Sequence, residues 1–190
     1  MKKSIVLFFV VSLFSLSFIG CSDSVVTDPV SSNGNGSLEK KPGSLPTIVE
    51  IAASDTNFTY LVAAVQFAGL VDALNGNRQF TVFAPVNQAF LDLAAALNIP
   101  IEELLTEPYR ELVTNVLLYH VSPGRKFSQN VIKSGRVITL FDQFAFTRIE
   151  NGSPQIGNNT TGYANITAVD IPASNGVIHV LDKVIVPVLP

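Results

Sequence analysis

The chain has 190 residues, with 12 Lys and Arg against 15 Asp and Glu, a single Cys and a formal net charge of −3. So mild an acidity argues against nucleic acid as a partner, and one cysteine excludes both an internal disulfide and a cysteine metal cluster. The sequence holds no long internal repeat, no charge run and no Gly-rich phosphate loop.

Met1-Lys2-Lys3 is a short basic head, followed by an apolar run from Ile5 to Ile19 broken only by serines. Charge, length and position mark residues 1–20 as a secretion signal, to be set aside from fold reasoning. The run is short for a hydrocarbon core that needs about 20 apolar residues. Ser17-Phe18-Ile19-Gly20-Cys21 resembles a bacterial lipobox, although Phe18 stands where Leu is preferred. The resemblance implies that Cys21 is lipidated and becomes the mature N-terminus. Membrane contact is then expected through a lipid anchor at Cys21, on an exported protein held at the cell membrane, outer membrane or cell surface. Ser22 lacks the charge of the Asp that retains some lipoproteins at the inner membrane. Losing the leader removes Lys2 and Lys3 and no acid, which leaves 10 bases against 15 acids. Residues 21–45 hold Ser31-Ser32-Asn33-Gly34-Asn35-Gly36-Ser37 and Glu39-Lys40-Lys41-Pro42-Gly43, with almost nothing to bury, as a flexible tether does. Residues 46–190 form one domain by length, and such a domain buries roughly 70% of its unfolded surface.

Within that domain, residues 47–52 read as a short helix. A second helix is expected over residues 57–74, with Leu61, Val65, Ala68 and Val71 on one face, Asp55 as its start cap and Gly76 as its stop. Phe80-Thr81-Val82-Phe83 alternates as a strand. After Pro85, Phe90, Leu93, Ala94 and Leu97 recur at helical spacing, and Pro108 opens a further helix with the stripe Tyr109, Leu112, Val113, Val116 and Leu117. From Val137 the pattern changes to short strands over residues 137–140, 144–147 and 164–169, with Asn151-Gly152-Ser153-Pro154 as turn chemistry. Asn175-Gly176 predicts a tight hairpin turn with positive φ. The β-branched run behind it is broken in two by Leu181-Asp182-Lys183, and Pro187 ends its second half. Helices first and strands last give an α+β class.

Three segments share one resemblance. They are Phe80-Thr81-Val82-Phe83-Ala84-Pro85-Val86-Asn87-Gln88-Ala89-Phe90, then Leu117-Leu118-Tyr119-His120-Val121, then Asn175-Gly176-Val177-Ile178-His179-Val180-Leu181-Asp182-Lys183-Val184-Ile185-Val186-Pro187. They resemble, in order and in spacing, the first box, the tyrosine-histidine motif and the second box of the fasciclin (FAS1) domain. The resemblance implies a wedge-shaped β-sandwich with a packed cluster of α-helices. It also implies adhesion through an extracellular or envelope protein or a polysaccharide. Phe83, Pro85, Asn175, Gly176 and His179 are then structural motif positions. Val86 stands where the family carries Thr or Ser, so it cannot cap the following helix; either Asn87 caps one residue late or packing alone holds Val86.

The candidate binding positions follow from the same resemblance: Tyr119 and His120, and Asp170 with Ile171, which match cell-binding segments of animal relatives. The integrin reading of Asp170-Ile171 does not suit a bacterial lipoprotein, and a turn residue at a strand end is the plainer account of Asp170. His120 and His179 are the two histidines. Imidazole with a carboxylate such as Asp182 suits Zn or Fe, but Asp182 has the opposite strand parity to His179. Each imidazole is therefore read as a buried, hydrogen-bonded structural group. Ser174 and Asp182 flank His179, yet there is no Gly-x-Ser-x-Gly elbow. The expectation is a non-enzymatic module without catalytic residue, metal or cofactor. The alternative is a periplasmic small-ligand-binding protein or hydrolase using His120 and His179, which requires a cleft joining a histidine to carboxylates.

Overall fold

The structure, a computed structural model, describes residues 44–189. The expected leader, the lipidation site Cys21 and the tether up to residue 43 lie outside the described residues. Among the described residues, seven α-helices and seven strands follow in chain order: α1 (Ile48–Ser54), α2 (Thr59–Phe67), α3 (Val71–Asn75), β1 (Phe80–Pro85), α4 (Asn87–Ala96), α5 (Ile101–Leu104), α6 (Arg110–Tyr119), β2 (Val121–Pro123), α7 (Ser128–Ser134), β3 (Arg136–Ile138), β4 (Phe144–Glu150), β5 (Ser153–Asn158), β6 (Gly162–Ala173) and β7 (Gly176–Leu181). No described helix is long and apolar enough to cross a membrane.

The sheet order is β2-β1-β7-β6-β5-β4-β3. β1 and β7 run parallel, and the other neighbours are antiparallel. The long strand β6 serves both halves: its first residues pair with β5 and its last with β7, with register shifts between Ile166 and Ile171. Such bulges bend a strand, and the two ends of the sheet meet. Leu140 N–H donates to Val121 O at 2.8 Å, and Ser122 Oγ donates to Ile138 O at 2.7 Å. The result is an α+β architecture, a sheet folded on itself with helices packed against one face, as the three-box resemblance implied.

Two cores follow. Ile48, Leu61, Phe80, Val82, Phe90, Leu117 and Ile178 fill the space between the helices and one face of β1 and β7. Phe83, Tyr119, Val131, Ile156, Ile166 and Leu181 fill the interior of the folded sheet. β1 and β7 are thus buried on both faces, which is why both read as near-continuous apolar runs.

Several expectations needed correction. The helix expected over residues 57–74 is a 3-10 turn (Thr56–Phe58), α2 and α3. Gly69, at φ +69°, ends α2: its N–H donates to Gln66 O and Leu70 N–H donates to Val65 O, the paired closure of a Schellman motif. Asp55 does cap, but it caps the 3-10 turn, accepting from Asn57 N–H at 2.9 Å. Pro108 lies in a separate 3-10 turn (Glu107–Tyr109), and α6 starts after it. α5, β2, α7 and β5 were not anticipated. Beyond Leu181 no second strand forms, because residues 182–189 leave the sheet.

Of the two expectations for the start of α4, the late cap by Asn87 fails and packing alone holds Val86. Val86 sits at the N-cap with no side-chain hydrogen bond, half-buried against the first core. Asn87 serves another helix: Oδ1 accepts from Tyr60 N–H at 3.1 Å and Nδ2 donates to Thr56 O at 2.8 Å. It therefore stitches the first turn of α2 to the start of α4.

Candidate functional site

The two boxes meet where β1 and β7 lie side by side, with Phe83 opposite His179. His179 is fully buried, and its ring stacks on Phe83 with centroids 5.4 Å apart. A carbonyl only accepts, so His179 Nε2–H donates to Lys126 O at 3.0 Å, and Nδ1 is left to accept from Asp170 N–H at 3.3 Å. Burial pushes the imidazole pKa down, against smaller upward pulls from the Lys126 carbonyl and the Asp170 carboxylate.

His179 is one of several pins on the segment between β2 and α7. Thr81, buried in β1, donates to Gly124 O at 2.7 Å and accepts from Lys126 N–H at 2.8 Å. Arg125 donates to Ala173 O at 2.7 Å. Lys126 Nζ donates to Ser122 Oγ and to Pro123 O, and burial pulls its pKa down. Asp170 sits in the β6 bulge at φ +61°, a conformation Asp tolerates better than most residues. Its carboxylate accepts from Ser128 N–H at 2.7 Å and Ser128 Oγ at 2.6 Å. Ile171, beside it, is half-buried against the first core and pairs with Ile178.

The tyrosine-histidine pair closes α6 from the other side. Tyr119 is fully buried; its hydroxyl donates to Phe144 O at 3.1 Å, and burial pushes its pKa up. His120 Nδ1–H donates to Val116 O at 2.7 Å, and Nε2 accepts from Ile185 N–H at 3.1 Å. Burial lowers the pKa of His120 to about 4. The two histidines are thus held as opposite neutral tautomers, each needing one lone pair for a backbone N–H. Protonating either would set donor against donor.

Asn175 and Gly176 work differently from the expected turn. Neither takes a positive φ. Asn175 is buried: Oδ1 accepts from Ile48 N–H at 2.9 Å and Nδ2 donates to Leu74 O at 2.6 Å, which joins the start of α1 and the end of α3 to the hairpin. At Gly176 a Cβ would lie 2.1 Å from Phe80 O and 2.7 Å from Ile48 Cδ1. Glycine is required there for close approach, not for a left-handed backbone. Pro85 ends β1 opposite Leu181, and Val86 N–H donates to Leu181 O at 3.1 Å.

Asp182, once considered with His179, instead accepts from Asn165 N–H and Nδ2 at 2.8 and 2.6 Å. No cluster of three His, Cys, Asp or Glu side chains able to hold a metal occurs among the described residues. A cavity of about 100 Å³ between α1, α2 and β1 reaches His120 and is otherwise lined by apolar side chains with Gln66. It contains no carboxylate. A groove of about 230 Å³ between α4, the start of β6 and the C-terminal segment has Asp92 and Lys183 among its lining residues, without a histidine.

Residues 56–187 match the fasciclin domain profile, a stretch that contains all three boxes. The chain belongs to the fasciclin domain family. Protein sll1483 of Synechocystis sp. is 40% identical over 141 residues, 74% of this chain and 73% of that protein. Immunogenic protein MPB70 of Mycobacterium bovis is 30% identical over 174 residues, 88% of this chain and 80% of its own. The solved FAS1 domain pair of the insect cell adhesion molecule Fasciclin I superposes with a TM-score of 0.64 at 21% identity. This fasciclin chain spans 52% of that structure, so the likeness shows the fold.

The sequence reading did not find Thr81, Lys126 and Ser128. A signal for Thr81 was present: a hydroxyl between Phe80 and Val82, in a strand apolar on both faces, must find a partner. Nothing local marked Lys126 or Ser128.

Proposed function

We propose that this fasciclin domain is a non-enzymatic adhesion module, tethered through a lipid on Cys21 and joining the cell envelope to an extracellular protein or polysaccharide. The observation that carries this reading is the use of the box histidines. Both ring nitrogens of His120 and of His179 are committed to backbone groups, and the one carboxylate beside them, that of Asp170 at 4.0 Å from His179 Nδ1, is itself taken up by Ser128 N–H and Oγ. A general base needs a free lone pair within reach of its substrate, and neither imidazole offers one. The name of the Fasciclin I structure, a cell adhesion molecule, is consistent with this reading.

A single domain of this size binds weakly, and attachment gains strength when many copies share one surface. The test compares attachment of cells with the gene, without it, and with Cys21→Ala. The proposal expects attachment with the native chain and a drop in the other two. Equal attachment in all three, with a turnover activity lost on His120→Gln or His179→Gln, would replace it with an enzyme.

A further inference from the structure

The outer face of β3–β6 carries side chains that neither core uses. Ala145 and Thr147 of β4 point inward and are buried. The alternate residues Phe144 and Phe146 are 43% and 40% exposed, and the Arg148 side chain is 45% exposed. Arg136 of β3 pairs with Phe146, and its guanidinium lies over the Phe144 ring, 4.7 Å from the centroid. Arg148 lies over the Tyr163 ring of β6 at 3.8 Å. The row across the strands runs Arg136, Phe146, Gly157, Tyr163, so two aromatic residues flank one with no side chain. Beside it, Arg148 Nε donates to Gln155 Oε1 at 2.9 Å, and Gln155 Nε2 donates to Asn165 Oδ1 at 2.9 Å. The polar groups of the face are therefore fixed before any ligand arrives.

We infer that this face of β3–β6, centred on Phe146 between Arg136 and Arg148, binds an acidic, uronate-bearing polysaccharide. The inference rests on the adhesion reading and names its partner. The apolar C–H face of a pyranose ring stacks on an aromatic ring, and a guanidinium takes a carboxylate in a two-pronged bond. Aromatic rings alternating with guanidinium groups on a flat, wet strand surface offer both contacts to an extended chain of acidic sugars. A small molecule would instead want a concave site. A second copy of the chain fits poorly. The exposed parts of Phe144 and Phe146 amount to roughly 170 Å², at about 200 Å² per aromatic side chain, well short of the apolar core of a stable interface, in which somewhat over half of about 800 Å² per partner is non-polar. Single-stranded nucleic acid wants a continuous cationic groove along its phosphates, and two arginines on a flat face, one of them paired with Glu150 at 2.6 Å, do not form one. A uronate on Arg148 must displace Glu150, which gives the test an arm that should strengthen binding.

The experiment is affinity electrophoresis of the full chain, solubilised in detergent, through gels containing polygalacturonate, neutral dextran or oligo(dT). Retardation is expected in polygalacturonate alone. Phe146→Ala and Arg136→Gln should each weaken it by roughly tenfold, the factor carried by about 1.4 kcal/mol. Glu150→Gln should strengthen it, and Arg78→Gln, at an exposed arginine away from this face, should leave it unchanged. Circular dichroism melts confirm that the variants fold. No retardation, equal retardation in dextran, or retardation indifferent to Phe146 and Arg136 would overturn the inference. So would stronger retention by oligo(dT), or a dimer by sedimentation that Phe146→Ala disperses. Should the pure chain ignore polygalacturonate while cells still attach in a gene-dependent way, this site falls and the adhesion reading stands.

Discussion

Replacing His179 by Ala removes a side chain that holds three parts of the domain at once. The ring stacks on Phe83 of β1, donates to the segment before α7 through Lys126 O, and accepts from the β6 bulge through Asp170 N–H. Each buried backbone group left without a partner costs about 1–3 kcal/mol, and the longer 3.3 Å bond belongs at the low end. Emptying the ring's volume beneath Phe83 adds about 2 kcal/mol of lost packing. The expected cost is therefore about 4 kcal/mol, a large part of the roughly 5–15 kcal/mol that holds a domain of this kind together. His179→Phe helps separate the two contributions: it keeps the stack, loses both hydrogen bonds and adds a somewhat larger ring to a filled site, so it should cost about 2–3 kcal/mol with no cavity. Urea denaturation at pH 7, followed by far-ultraviolet circular dichroism, gives both values. A cost below about 1 kcal/mol for His179→Ala would refute the reasoning, because water would then be replacing the ring at no penalty.

Three further outcomes follow. Both histidines have pKa values lowered by burial, that of His120 to about 4, so the folded state stays neutral while the unfolded chain takes up protons below its ordinary value near 6.5. Stability is complete above pH 6.5 and declines as the pH falls toward 4; His120 alone should lower it by about 2 kcal/mol between pH 7 and pH 5, a slope that denaturation of His120→Gln should lack. Gly176→Ala should cost about 3 kcal/mol, because the new Cβ meets the backbone oxygen of Phe80 at 2.1 Å; a thermal midpoint shifted by only a degree would contradict it. Val86→Thr keeps the shape, loses one partly packed methyl and gains an acceptor for the first turn of α4, for a net gain of about 0.5–1 kcal/mol; a lower urea midpoint would show that the methyl outweighs the cap.

The sequence exposed the parts of the fold whose causes are local. β1 and β7 were legible because burial on both faces leaves an apolar run with one conspicuous polar residue, Thr81 or His179. The break at Gly69 was missed because the stripe from Leu61 to Leu74 keeps its apolar spacing across it, and only the backbone dihedral changes. α7 was invisible for a different reason: of Ser128–Ser134 only Val131 is buried, so no stripe exists to read. β5 carries Pro154 and Gly157, which argue against a strand in isolation, and it forms because β4 and β6 flank it. Gly176 was expected to supply a positive φ, whereas its place in the fold is set by the close approach of Phe80 O, which only topology brings near. At the candidate site, the burial of His179 was readable from its apolar neighbours. Its partners were not, because Lys126 lies 53 residues away and is brought in by topology.

The central claim is that the boxes hold the fold while the module attaches through its surface. The most direct test is attachment per displayed molecule for cells carrying His120→Gln or His179→Gln, at a temperature where melts show both variants folded. The account predicts attachment equal to that of the native chain at equal surface density. Attachment lost in a folded His120→Gln or His179→Gln protein would contradict it and return the histidines to the functional site.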